Sequence, residues 1–441
     1  MMDTAFIGRI GELELAGAAL GSSWSICLTY IPTGLSNGLD TLASQAFGAG
    51  NLPLVGVWFQ VSLWLSFLFS IPVLILLYFT EPIMVSLGQE LTVAHLSGQY
   101  AKWLIPGIVP FVLFNCQMRW LQNQQIMYPA NIIAVAGILL NFPLNYVCIW
   151  GAGSWHGWGL EGAAIATSVL RILMPIATWG IVLVRKLHLP TSSKIYKDAF
   201  KLQTVIEFLR YGVPAMLMVF FEVAGFEAST ILVGLLLQPA ALAAHGIGLY
   251  SLLLNFIIPF GWGIAANVQL GNIVGGGDYE RARRVAFFSI IVIVVQMFIH
   301  SFIWWSCRSY IVSIWSTTPD VHAIGVDIVA IAALVVIFDG YQFTAGSLIK
   351  AIGRQFAGGI VHFVGFYVIS LPGGYIFASV LGFGVKAYWW SLATCIAFLC
   401  IGFTTILLRV DWKEETMLAQ KRTQYEVLES DEEEIIKVKP N

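Results

Sequence analysis

The chain alternates long apolar runs with short breaks made of Gly, Pro or charged residues. Such runs read as membrane spans, because about 20 predominantly apolar residues cross a bilayer. Eleven are visible, at about 16–46, 53–80, 94–121, 128–150, 160–185, 211–237, 241–273, 285–314, 324–350, 358–381 and 386–409. The pattern predicts an all-α polytopic membrane protein. One run departs from it: YGVPAMLMVFFEVAGFEASTILVGLLL, at 211–237, carries Glu222 and Glu227 near its centre. A mid-membrane acid costs something like 2.5–3.5 kcal/mol on insertion scales, so such residues face the bundle interior or a water-filled cavity and mark a substrate or ion path. Five residues apart on an ideal helix, the two side chains point about 140° away from each other. Either they flank one cavity from two sides, or Pro214 and Gly225 distort the span enough to bring them together.

The Lys and Arg residues give the orientation. The connector RKLHLPTSSKIYKDAFK at 185–201, the turn GGGDYERARR at 275–284 and the break near Lys350 and Arg354 all leave the membrane on one side. The opposite breaks, EPIMVSLGQE, GAGSWHGWGLEG and LLQPAAL, contain neither residue. By the positive-inside rule the basic side, with the C-terminal tail, is cytoplasmic. The connector reads as a solvated linker, and the acid-rich tail at 411–441 as disordered.

Comparing the halves exposes a repeat. IPTGLSNGLDTLASQAFGAG, at 31–50, aligns without gaps on IPFGWGIAANVQLGNIVGGG, at 258–277, with Ile, Pro and three Gly identical. Pro143 pairs with Pro372, and Gly159 with Gly384, at nearly the same offset. A common order and offset predict two homologous six-helix lobes, an organisation frequent among secondary transporters. The expected division is an N-terminal lobe at 1–187, a cytoplasmic linker at 188–206, a C-terminal lobe at 207–410 and the tail. The counterpart of 211–237 falls mostly before residue 1, so the sequence is expected to lack the first of twelve spans. Pro32 and Pro259 occupy matching places and are candidate hinges. A third acid inside an apolar run, Asp339 in IFDGYQFTAG, has Val112 as its counterpart in the other half, which favours a site-specific role. Asp40 pairs with Asn267 and reads as a polar residue that fixes a helix end.

Composition narrows the function. With 58% hydrophobic and 11% charged residues, the 441-residue chain lies outside the soluble range, in which about a quarter of residues are charged. A net charge of −2 without a basic patch gives no reason to expect nucleic acid as a partner. Six cysteines without CxxC spacing read as small core residues. Seven isolated histidines, with no HExxH, predict no metal site and no catalytic base, hence no enzyme and no cofactor.

Several stretches together carry a family resemblance: GELELAGAALG, GLDTLASQAFGAGN, RWLQNQQIMYP, FFEVAGFEASTILVGLL, VQLGNIVGGGDYERAR and FDGYQF followed by AIGRQ. The chain resembles the multidrug and toxic compound extrusion (MATE) family in its eukaryotic branch, over almost its whole length to about residue 410. The resemblance implies two six-helix lobes around a cleft, and export of organic, often cationic, solutes in exchange for H+ or Na+. In this branch two glutamates of the seventh helix and an acid of the tenth line the second lobe; they match Glu222, Glu227 and Asp339. Where some animal members have a glutamate in the eighth helix, this chain has Tyr250. Aromatic rings such as Phe226, Tyr250, Tyr341 and Phe343 are candidate contacts for flat cations. A carboxylate in such a cavity holds a proton or a cation but not easily both, and that exclusivity is the core of antiport. The alternative is a two-lobed flippase for a lipid-linked substrate, which would need cationic residues for phosphate; Arg119 and Arg171 are the main ones inside the spans. A monomer in the plasma or vacuolar membrane is expected.

Overall fold

The computed structural model describes residues 6–424 apart from Ser154 and Thr317; of the acidic tail expected to be disordered, residues 425–441 lie outside this range. Among the described residues the chain is helical, with one isolated bridge between Ala152 and Trp155 and no strand. Helix α1 (Glu12–Leu35) passes through a 3-10 turn, Ser36–Gly38, into α2 (Leu39–Gly48). There follow α3 (Leu52–Tyr78), the short α4 (Thr80–Ser86), α5 (Leu91–Asn123), α6 (Tyr128–Trp150) and α7 (Gly159–Val184). The second half contains α8 (Leu202–Leu236), α9 (Pro239–Gly275), α10 (Tyr279–Ser306), the short α11 (Arg308–Trp315), α12 (Pro319–Ala351), α13 (Gln355–Val380), α14 (Gly384–Leu408) and α15 (Trp412–Thr423).

Ten of these, α3, α5–α10 and α12–α14, are long and apolar enough to cross a membrane. This is a multi-pass integral membrane protein. The expected run at 16–46 is helical but is not among the ten. Ser22, Ser23, Ser25, Thr29 and Thr33 dilute its apolar character, and the turn at Ser36–Gly38 interrupts it. The interruption has a local cause. Pro32 has no N–H to bond the Leu28 carbonyl four residues back, and beside it hydroxyls add bonds to further carbonyls: Thr33 donates to Thr29 O at 2.8 Å and Ser36 to Thr33 O at 2.6 Å.

The chain divides into two compact units, one built from residues up to Ala43 with Leu52–Met216, the other from Ser44–Asn51 with Leu217–Tyr425. The repeat reappears as element order. The first unit runs through a broken helix, a span, a short helix and three spans; the second repeats this order in α9–α14, after α8, with α9 continuous where its counterpart is broken. Backbone conformation repeats with it. Positive φ occurs at Gly50 and Gly277, at Gly157 and Gly382, and at Gly159 and Gly384, all glycine pairs at the repeat offset. Such φ values are open to glycine at no steric cost. In lipid, helices gain little from mutual apolar contact, so close approach relies on small residues. Within the second unit this is reciprocal: a methyl at Gly48 would overlap the Asn272 carbonyl oxygen, and one at Gly275 the Gln45 carbonyl oxygen. Gln45 adds a bond to Ala351 O at 2.7 Å.

Two segments expected to be solvated are ordered. The linker lies along α3, where Gln60 bonds Lys194 O (2.7 Å) and Tyr196 N (2.9 Å) and the Trp64 indole donates to Ala199 O (3.1 Å). Burial pushes the Tyr196 phenol above its usual range. Further on, the first part of the expected disordered tail is α15. Asp411 caps its first turn by accepting from Lys413 N and Glu414 N, and Glu415, buried, holds the Arg354 guanidinium at 2.5–2.6 Å. The cap and the ion pair supply what a stretch so poor in apolar residues lacks.

Candidate carboxylate site in the second unit

The 35 residues of α8 extend over ~52 Å at 1.5 Å per residue, more than a bilayer core of about 30 Å. Its excess length lies at the N-terminal, linker end, which leaves Glu222 well inside the span. Glu222 Oε1 accepts from Gln342 Nε2 at 3.0 Å, and the same amide nitrogen reaches Asp339 Oδ1 at 3.2 Å. Gln342 has two hydrogens on that nitrogen, one for each acid. The structure therefore brings Glu222 of α8 and Asp339 of α12 onto one side chain. Asp339 and Gln342 are both buried, and Gln342 stands three residues after Asp339 on the same helical face.

A fourth group comes from α13. His362 Nε2 lies 3.7 Å from Glu222 Oε2, and its Nδ1 lies 3.1 Å from Gly358 O. The helix around it is irregular. After Phe363 it widens into π-type turns over Val364–Ser370 and again over Tyr375–Val380, on either side of Pro372. Pro372 cannot donate to the helix ladder, and wide turns are one way a helix absorbs that loss. Close packing sets the spacing between α8 and α13: a Cβ at Gly225 would stand 2.6 Å from the Phe366 ring, against which Phe226 also packs edge-on at 5.5 Å.

The remaining candidates are placed elsewhere, all but Pro32 in the second unit. Glu227, five residues beyond Glu222, is half-buried and engaged in its own interaction, and it shares none of the contacts of Gln342 or His362. The distortion that Pro214 and Gly225 could have introduced does not bring the two glutamates onto one partner. Tyr341 bonds the Thr404 hydroxyl of α14. Tyr250 stacks on Trp315 of α11, with centroids 5.3 Å apart and planes within 11°. Phe343 packs edge-on against Phe256 of α9 at 4.8 Å. Pro32 and Pro259 both lie inside helices and are buried. In the first unit Asp40 stands in the first turn of α2 and takes both its oxygens to Arg119 Nη1, at 2.6 and 2.7 Å. Among the described residues no three His, Cys, Asp or Glu side chains gather in a way that could hold a metal ion.

Gln342 and His362 had no signal strong enough to be singled out in the sequence. Gln342 lies inside the quoted IFDGYQF stretch, and only its spacing of three from Asp339 pointed to it. His362 is a lone imidazole in the apolar run GGIVHFVGF.

Two helical units of repeated order, one with a buried carboxylate pair mid-span, define a polytopic membrane protein with an ionisable interior. Comparison with known proteins makes this specific. The MatE family matches residues 1–147 and again 214–376, once in each half. The chain belongs to the MatE family, of the eukaryotic type. It is 29% identical over 420 residues to multidrug and toxin extrusion protein 1 of Homo sapiens, covering 95% of this chain and 72% of that protein. To the protein of the same name from Mus musculus it is 30% identical over 423 residues, with coverage of 95% and 73%. In structure it is similar to the eukaryotic MATE transporter AtDTX14, with a TM-score of 0.89, 23% identity, and coverage of 96% of this chain and 93% of that one. At that identity the structural likeness speaks for the fold.

Proposed function

We propose that this protein is a secondary active antiporter that exports organic, cationic solutes, including xenobiotics, in exchange for H+. The observation that carries the reading is the amide bridge of Gln342 between Glu222 and Asp339 inside the spans. Neither acid has a Lys or Arg partner among the described residues, so each is free to exchange a proton for a substrate cation. The relatives' names, multidrug and toxin extrusion proteins, support the same substrate class. In this scheme Glu222 and Asp339 bind proton and cation in alternation, and Gln342 holds both carboxylates in place. Glu227 forms a second station further along α8, with Tyr250 and Tyr341 as ring contacts for the solute and Pro32 and Pro259 as hinges. No cofactor enters the cycle, which is transport and not catalysis. The working form is a monomer in the plasma or vacuolar membrane.

The test is uptake of tetraethylammonium into inside-out vesicles under an imposed H+ or Na+ gradient, for wild type, Glu222→Gln, Asp339→Asn and Glu227→Gln. Uptake driven by H+ and lost in Glu222→Gln and Asp339→Asn is the expected result. Gradient-driven uptake indifferent to all three substitutions would make the acids structural. Drive by Na+ alone would change the coupling ion.

A further inference from the structure

The antiport scheme leaves one edge of Glu222 unused. Oε1 is taken by Gln342, while Oε2 faces His362 Nε2 at 3.7 Å, both side chains being nearly sealed from solvent at 14% and 4% exposure. The tautomer of His362 follows from its other contact. A carbonyl oxygen only accepts, so the Nδ1 that lies 3.1 Å from Gly358 O carries a hydrogen. Nε2 is then the nitrogen that gains and loses the second proton. The ring cannot easily turn away: it lies parallel to Phe366, planes within 12°, and against Phe403 at 5.3 Å.

The charged or titratable groups around this pair are few. Asp339 faces it from α12 through Gln342, Cys395 and Cys400 face the acids from α14, and Glu227 follows on α8. Among the described residues no Lys or Arg meets either member. With Nε2 unprotonated, a lone pair confronts the carboxylate at a distance too long for a hydrogen bond. With Nε2 protonated, the same edge presents a fixed organic cation to Glu222.

We propose that His362 is a tethered competitor of the transported cation. On the acidic side one H+ binds Nε2, the imidazolium N–H donates to Glu222 Oε2, and the substrate cation loses its carboxylate and leaves. On the cytoplasmic side that proton passes from Nε2 to water, and the neutral ring frees Glu222 for the next cation. One proton thus enters for each cation exported through this couple. The inference rests on the antiport reading and adds that discharge of the substrate is driven from the imidazole, not only from the acids.

The experiment measures the KM for tetraethylammonium with the pH of the substrate-release face varied, for wild type, His362→Asn and His362→Gln. In wild type, acidification from about pH 7.5 to about pH 5.5 raises the KM about tenfold or more. In His362→Asn the KM at the higher pH stays within about twofold of wild type while the rise shrinks to about threefold or less, because an amide cannot take up the proton. His362→Gln behaves the same way and stands in should the shorter amide fail to fold. Three results would overturn the proposal: a wild-type KM that is flat across this range, which needs no variant at all, a rise in either variant as steep as in wild type, or a variant KM displaced equally at every pH. The last is what a purely packing role gives. If Glu222→Gln transports like wild type the antiport reading itself falls; if Glu222→Gln is inactive and His362→Asn keeps the full pH response, only the competitor role falls.

Discussion

Neutralising Asp40 tests the ion pair of the first unit. Asp40 and Arg119 are 11% and 20% exposed, and both carboxylate oxygens lie on one guanidinium nitrogen. Two unit charges 4 Å apart attract by about 4 kcal/mol at an effective dielectric of about 20, much of it offset by desolvation. Removing Asp40 alone leaves the Arg119 charge buried without its counter-ion, at a cost of about 3–5 kcal/mol for a fully buried pair. Residual solvent access places this pair near the low end. Arg119 is badly placed to find another partner, since its Nε already lacks one. Asp40→Asn and Arg119→Gln are each expected to lower the thermal midpoint in detergent micelles, followed by tryptophan fluorescence. Domains of about 150–250 residues shift by about 2–4 °C per kcal/mol and longer chains by less, so a drop of about 5 °C is expected. The double variant, which removes both charges, should recover at least half of the loss. Single variants within about 1 °C of wild type, or a double variant no better than the worse single, would refute the reasoning.

Other parts of the molecule give simpler tests. Cys307 is the exposed cysteine among the described residues and stands at the end of α10 opposite the basic turn at 275–284, so in sealed vesicles of known sidedness a membrane-impermeant maleimide should label it from the non-cytoplasmic face; labelling only from the cytoplasmic face would invert the topology. Arg354→Ala should free α15 and raise amide exchange across Trp412–Thr423, with an effect on overall stability of about 1 kcal/mol or less, because Arg354 is itself about a third exposed. Unchanged protection there would mean that the apolar face of α15 holds it without the ion pair. Gly225→Ala should push Phe366 out of place and lower transport while surface expression is kept; normal transport would show that α13 yields.

How much of this was readable beforehand depended on the range of the interaction. Spans, glycine turns and the repeat are local or strictly periodic signals, and they stood out because φ at Gly159 and Gly384 and the proline positions recur in sequence register. The acids stood out because charge is rare in apolar runs. The bridge by Gln342 and the approach of His362 join α8 to α12 and α13, more than a hundred residues further along the chain, and no spacing rule encodes that. Asp40 was read as a helix-end residue, and it does stand in the first turn of α2, but its partner Arg119 lies 79 residues away. The helix α15 was misread, and the anchoring of the linker went unseen, for a further reason. Polar composition suggested solvent, while the actual anchors, Gln60 and Trp64 for one and Arg354 for the other, sit on other elements.

The reciprocal contact of Gly48 with Asn272 and of Gly275 with Gln45 has the form of a self-complementary dimer interface, in which each copy supplies the same bump and the same notch. Here both copies are encoded in one chain at a shift of 227 residues. In a true homodimer any substitution at such a point is doubled at once, and most are ruled out. With the two halves written separately, one glycine can drift while its twin still holds the backbones together. The second half has Asn at 272 where the first has Gln at 45, and Asp at 339 where the first has Val at 112. Asymmetry of chemistry could arise on a frame that keeps its symmetry where Gly48 and Gly275 let the two backbones meet.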